Sequence, residues 1–240
     1  MTKKAKRTRK QPIRQQKETN WIVIGGFILI GVVGLFALLY ASLQEGGTPT
    51  DTSAVTDTLL QDYCANNPDN CVVEGDADAP ITVVEISDYG CGHCANFNLS
   101  TAGILKELYV ATGQVKWVVL PFALGGQTGY PTLPSVEAAM CANEQDQFAG
   151  FHTGLFGLQS TASFNTDTGF LSIADSLGLD QAAFSSCLLD DRYNDDLLRN
   201  IQTASAAGVN ATPSFFVNGE KVEGNLPLAN FQQLLDDKLN

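Results

Sequence analysis

Cys91 and Cys94, separated by Gly92 and His93, are the residues of this chain whose type and spacing speak most directly of chemistry. A thiolate is the nucleophile of thiol–disulfide exchange, and two cysteines three positions apart can close and open a bond between themselves. The β-branched run Ile81–Ser87 precedes them and a helical pattern follows from about Gly92, so Cys91 falls where a strand gives way to a helix. Unpaired backbone N–H groups and the helix dipole favour a thiolate there, each pKa unit being worth about 1.4 kcal/mol. His93 adds a donor, and a positive charge when protonated. Cys94, one turn inward, can reach Cys91 while staying better shielded. An exposed sulfur that enters a mixed disulfide beside a sheltered one that resolves it is what exchange requires. Two other uses of the pair are weaker. A structural bond closing so small a loop adds little stability. A zinc site needs about two more ligands, and the only histidines are His93 and His152 while the other cysteines lie in distant segments.

The elements that must hold this pair can be read around it. Ile81–Ser87 is a buried strand introduced by Ala79-Pro80. The helix after Gly92 carries Phe97, Ile104, Leu105 and Leu108 on one side and ends at Gly113, and Val115–Leu120 is a second buried strand. This is a strand–helix–strand unit of the length a parallel pair needs. From Pro134 to Ala207 the signals are helical, with Pro134 suited to a first turn, Asp180 to a cap, and Gly178 and Gly208 to helix ends. Ser214–Val217, Asn218-Gly219 and Glu220–Glu223 form the strongest hairpin signal, because Asn-Gly tolerates a type I′ turn. Pro227 to Leu239 closes with an amphipathic helix. The expected order is β-α-β, a helical block of about seventy residues, then β-β-α, an α/β fold with ends good to about two to four residues.

Charge and hydropathy divide the chain. Its 240 residues carry a net charge of −12, with 44% hydrophobic content. Residues 1–20 hold eight basic side chains against Glu18 alone. Residues 21–43 hold no charge, and residues 44–240 hold six basic and 25 acidic groups. A body so acidic offers no basic face for phosphates, so nucleic-acid binding is excluded. The apolar fraction excludes disorder for most of the chain. Residues 21–43, flanked by Trp21 and Tyr40, are long enough to cross a ~30 Å hydrocarbon core as one transmembrane helix. The competing reading is a cleaved signal peptide. The run exceeds an h-region of about 7–15 residues, and Leu39-Tyr40-Ala41 is a poor cleavage site, so an uncleaved anchor is preferred. Either way the body is extracytoplasmic, and with the anchor kept residues 1–20 form a cytoplasmic tail. Residues 44–57, rich in Gly, Thr, Ser and Asp, read as a flexible linker. All six cysteines lie beyond the membrane segment, an even number that suits an oxidising compartment.

The strings DAPITVVEISDYGCGHC (78–94), EAAMCANEQ (137–145) and GVNATPSFFVNG (208–219) resemble, in order and separation, the DsbA-like protein thiol–disulfide oxidoreductases. The likeness is greatest to the membrane-anchored or secreted bacterial branch, and it covers residues 74–240. It implies a thioredoxin-like domain formed by residues 58–121 and 208–240, with an all-helical domain inserted at 122–207. It implies further that Pro213, preceded by Thr212, is the cis-proline beside the active-site cysteines that leaves backbone groups free for a substrate strand. It assigns Glu85 to a buried acid that influences proton transfer to Cys94. A surface position for Glu85 is the alternative, but its neighbours are apolar, and burial is expected to raise its pKa. Gly92 departs from the proline of the strongest oxidants, and Cys-Gly-His-Cys is also the dipeptide arrangement of protein disulfide isomerases.

Cys91 paired with Cys94 leaves four cysteines and three connectivities. Branches of the resembled family carry a structural bond matching Cys141–Cys187. Cys64 and Cys71 flank the turn-forming stretch Asn-Asn-Pro-Asp-Asn, which favours their pairing, with a second redox couple as the alternative use. His152, between Phe151 and Phe156, is read as packing. Asp190, Asp191, Asp195 and Asp196 are read as a solvated helix face, and Asn98-Leu-Ser and Asn210-Ala-Thr as chance matches to a glycosylation pattern.

The expected function is therefore that of a membrane-anchored extracytoplasmic oxidoreductase, with an isomerase, a reductase or a tethered chaperone as alternatives. Its partners would be reduced or misfolded cysteine-containing secreted proteins, and a membrane quinone-linked reoxidant of the DsbB or VKOR type. No cofactor, metal or nucleic acid is expected, and the chain is read as a monomer.

Overall fold

The structure, a computed structural model, describes residues 58–127 and 129–240. The basic tail, the expected membrane segment and the linker lie outside them. Among the described residues no helix is long and apolar enough to cross a membrane.

The elements are α1 (Leu59–Asn66), β1 (Val72–Glu74), β2 (Ile81–Ile86), α2 (Gly92–Ser100), α3 (Ala102–Leu105), β3 (Val115–Val119), α4 (Leu133–Asn143), α5 (Phe148–Leu158), α6 (Asp167–Ser176), α7 (Gln181–Leu189), α8 (Asn194–Ala206), β4 (Ser214–Val217), β5 (Glu220–Glu223) and α9 (Leu228–Leu239). One sheet runs β1-β3-β2-β4-β5, with β2 and β3 parallel and the remaining pairs antiparallel. The five helices α4–α8 interrupt the chain between β3 and β4.

Strand pairing decides which face each side chain meets. Val83 and Glu85 share a face with Trp117, their neighbour on β3, and with Phe215 on β4. On that face Phe97 of α2 and Phe231 of α9 pack against Trp117 and Phe215, with ring centroids 4.6 to 6.4 Å apart. Such tilted and offset contacts fix α2 over the sheet and hence fix the cysteines at its start.

Turn chemistry works as the sequence suggests. Asp180 caps α7 by accepting from the N–H groups of Ala182 and Ala183. Asn218 and Gly219 take positive φ of 48° and 88° between β4 and β5. Three readings need correction. The helix after Gly92 breaks at Thr101 and passes through a π turn at Lys106–Val110, so its buried side runs Phe97, Ala102, Leu105, Tyr109 and leaves Ile104 and Leu108 exposed. The acidic stretch is not one helical face: Asp190 and Asp191 lie in the turn between α7 and α8, and Asp195 and Asp196 in the first turn of α8. Finally, α1 and the three-residue β1 precede the expected first strand. A strand so short leaves no readable alternation.

Cys141 is bonded to Cys187, joining α4 to α7, and Cys64 to Cys71, joining α1 to the start of β1. All four sulfur-bearing residues are buried.

Candidate active site

Cys91 occupies the N-cap of α2. Its backbone is extended and its Sγ accepts the Cys94 N–H at 3.4 Å, one of the orphan donors of the helix start. The same sulfur donates to the carbonyl of Thr212, 3.3 Å away across 121 residues of sequence. The Thr212–Pro213 peptide is cis, Thr212 is half-buried, and Pro213 is buried. Both cysteines are free thiols, Cys91 partly exposed and Cys94 buried. Burial pushes the Cys94 thiol well up, and the adjacent Cys91 sulfur adds to this, against hydrogen bonds from Asp88 and Thr212 that lower it. His93 stands exposed on the first turn of α2.

The turn before Cys91 is held by Asp88. One of its carboxylate oxygens accepts the Gly90 N–H at 2.6 Å. The other accepts the Leu124 N–H and the Thr132 hydroxyl, both at 2.7 Å. A buried carboxylate with three donors ties the cysteine turn to the start of the helical insertion.

Glu85 is wholly buried. Its Oε1 accepts from the Ser87 hydroxyl at 2.6 Å and the Asn98 amide at 2.8 Å, and its Oε2 from the Trp117 indole N–H at 2.9 Å. Burial alone would raise its pKa, as the sequence suggested. The neighbouring His152 ring, the Lys106 ammonium and the donors Ser87 and Asn98 together outweigh burial, so the net direction is down and the expectation is corrected. His152 packs among Tyr89, Phe148 and Phe156 as expected, but it also carries hydrogen bonds on both ring nitrogens. Among the described residues no group of three or more His, Cys, Asp or Glu could hold a metal ion.

The fold thus brings Cys91, Cys94, Thr212 and Pro213 together and sets Glu85 in the layer below, joined to the Cys94 carbonyl through the Asn98 amide. Sequence reasoning gave no site role to Asn98, Ser87, Asp88 or His152, reading His152 as packing and Asn98 as a chance glycosylation match. Two of them left a trace: Asn98 lies one helical turn after Cys94, and Asp88 two before a glycine, the spacing of an Asx turn. With Cys91 and Cys94 joined as a disulfide, the arrangement can accept a substrate thiolate at Cys91, release Cys94 and hold the mixed disulfide beside the Thr212 backbone.

Residues 67–237 match the family described as Thioredoxin. The chain belongs to the thioredoxin family. Within that family it is similar to proteins named as protein-disulfide oxidoreductases and as DsbA, and it spans less than two thirds of the length of the first curated relatives it matches. The inferred protein-disulfide oxidoreductase of Rickettsia typhi is 28% identical over 71% of this chain and 62% of its own length. The Na(+)/H(+) antiporter NhaA 3 of Salinispora tropica is 31% identical over 66% of this chain, but only 23% of the antiporter is covered, so the likeness extends to a minor part of that protein. Among solved structures, alpha-DsbA1 of Wolbachia pipientis is 26% identical with a TM-score of 0.62, over 70% of this chain and 90% of that one. Oxidised BdbD of Bacillus subtilis shares the fold at 22% identity and a TM-score of 0.62, over 70% and 91%. The thioredoxin-like α/β fold with its helical insertion is common to them.

Proposed function

We propose that this thioredoxin-family chain is an extracytoplasmic, membrane-anchored thiol–disulfide oxidoreductase that introduces disulfides into secreted proteins through Cys91 and Cys94. The observation that carries the proposal is the paired setting of the two sulfurs. Cys91 caps a helix beside the cis-Pro213 loop, while Cys94 is buried and its thiol pKa driven up. A substrate thiolate attacks Cys91 of the Cys91–Cys94 disulfide, and Cys94 leaves and takes up a proton. The second substrate thiol, as thiolate, then attacks the substrate sulfur of the mixed disulfide, and Cys91 departs as a thiolate stabilised by the Cys94 N–H. The two substrate thiols are oxidised and the enzyme pair is reduced by two electrons. Thr212 and Pro213 present backbone to the substrate strand, and His93 adds a donor at the exposed rim.

Reduced or misfolded cysteine-containing secreted proteins are the substrates in this reading. A quinone-linked membrane protein of the DsbB or VKOR type is the reoxidant, and the enzyme acts as a monomer without cofactor. The uncharged run at 21–43, the basic residues before it and two disulfides outside the Cys91–Cys94 pair support the compartment. The test is the reduction potential of Cys91–Cys94 in glutathione buffers. A value near about −120 to −150 mV supports donation of disulfides, about −180 mV supports an isomerase, and about −230 mV or lower reverses the direction.

A further inference from the structure

Exchange at this site moves a proton on and off Cys94 in every turnover, and the roles of the buried groups beside it are set by hydrogen-bond logic. The Asn98 amide nitrogen lies 2.8 Å from Glu85 Oε1 and 3.2 Å from the Cys94 carbonyl. A carboxylate and a carbonyl only accept, so the amide N–H groups must point at them and Asn98 Oδ1 must point away. That oxygen lies 3.1 Å from His152 Nε2, which must therefore carry the ring proton. His152 Nδ1 is then an acceptor, and the Tyr89 hydroxyl donates to it at 2.7 Å. Every atom along Tyr89–His152–Asn98–Glu85 has one consistent role, although Tyr89 and Glu85 come from the cysteine side of the fold and His152 from α5 of the insertion.

A cleft of about 150 Å³ borders this chain of contacts, lined by Glu74, Asn98, Lys106, His152 and Thr153 among others. It is large enough for water. Water there offers the Asn98 oxygen and amide other partners; the amide nitrogen is held by Glu85, Ser87 and the Cys94 carbonyl, and the oxygen by the His152 N–H.

We propose that His152 is a positioning residue for the exchange reaction: by donating to Asn98 it holds that amide against both the Cys94 carbonyl and the Glu85 carboxylate, and so keeps Glu85 ready to exchange a proton with Cys94. This rests on the exchange reading of the Cys91–Cys94 pair. The charged and titratable groups facing His152 are Glu85 from β2, Tyr89 from the turn before α2, and Lys106 and Glu74 across the cleft.

The test uses the reduced full chain in detergent micelles and dithiobis(nitrobenzoate), followed by stopped flow. Cys91 attacks the reagent disulfide and releases one thionitrobenzoate. Cys94 then attacks the Cys91 sulfur, releases the second, and gives its proton through Glu85 to solvent. His152→Phe keeps a ring among Tyr89, Phe148 and Phe156 but removes the donor. It should leave the first release within about twofold, slow the second about tenfold at neutral pH, and move its pH midpoint up by about one unit. His152→Gln, which restores an N–H near Nε2, should recover the second release to within about threefold. Asn98→Leu should slow the second release, and the His152→Phe/Asn98→Leu double variant should be no slower than Asn98→Leu alone. Unchanged second release in His152→Phe, no rescue by His152→Gln, or additive losses in the double variant would each overturn the role given to His152. A parent chain that released no thionitrobenzoate would take the exchange reading down with it.

Discussion

Replacing Cys141 and Cys187 together by alanine should destabilise the protein more than replacing Cys64 and Cys71. The bonds close loops of 46 and 7 residues. Cross-linking restricts the unfolded chain in proportion to the logarithm of loop length, which puts the longer bond at about 4 kcal/mol and the shorter at about 2.4 kcal/mol. Truncation to alanine also removes packing. That part is similar for both pairs, because all four residues are no more than 5% exposed. The difference of about 1.6 kcal/mol therefore reports loop closure. Urea unfolding of the two double variants and the parent, followed by circular dichroism, reads it directly. Equal losses, or a larger loss for the Cys64/Cys71 variant, would refute the loop-closure argument.

Two further perturbations have a definite sign. Burial pushes the His152 imidazole down to about 4 from its ordinary value of 6.5, with Glu85 acting the other way. The unfolded chain then binds a proton the folded chain refuses, so this stability is complete above about pH 6.5 and is lost as pH falls towards 4, up to roughly 3 kcal/mol. A urea-midpoint series from pH 7.5 to 4 should fall less steeply for His152→Phe than for the parent, and parallel slopes would contradict the assignment. Two glycines flanking Cys91 should respond oppositely to alanine. A Cβ on Gly90 would lie 2.9 Å from Thr132 Cγ2 and 3.1 Å from Asp88 Oδ1, so Gly90→Ala should cost roughly 1–3 kcal/mol. At Gly92 the nearest atom is Gln159 Oε1 at 4.0 Å, so Gly92→Ala should raise stability by roughly half a kcal/mol, read as a change in Tm.

The sequence by itself determined the elements whose signals are local. The Asn218-Gly219 turn, the Asp180 cap, the helix ends at Gly178 and Gly208, and Cys91 at a strand-to-helix junction all rest on the backbone preferences of one or a few neighbouring residues. The order β-α-β, helices, β-β-α followed from periodicity for the same reason. The tertiary structure decided whatever depends on partners distant in sequence. Glu85 could be given a strand, but the net direction of its pKa came from His152, Lys106 and Asn98, which reach it across the fold. His152 shows the limit most plainly. Its aromatic surroundings were legible one helical turn away, at Phe148 and Phe156, but its hydrogen bonds go to Tyr89 and Asn98, 63 and 54 residues distant. The buried face of the helix after Cys94 was likewise set by the break at Thr101 and the π turn, which rotate its phase in a way no regular period carries. Backbone preferences act over a few residues, whereas the charge state of a buried group depends on everything that replaces its lost water, and that is known only once the chain has closed around it.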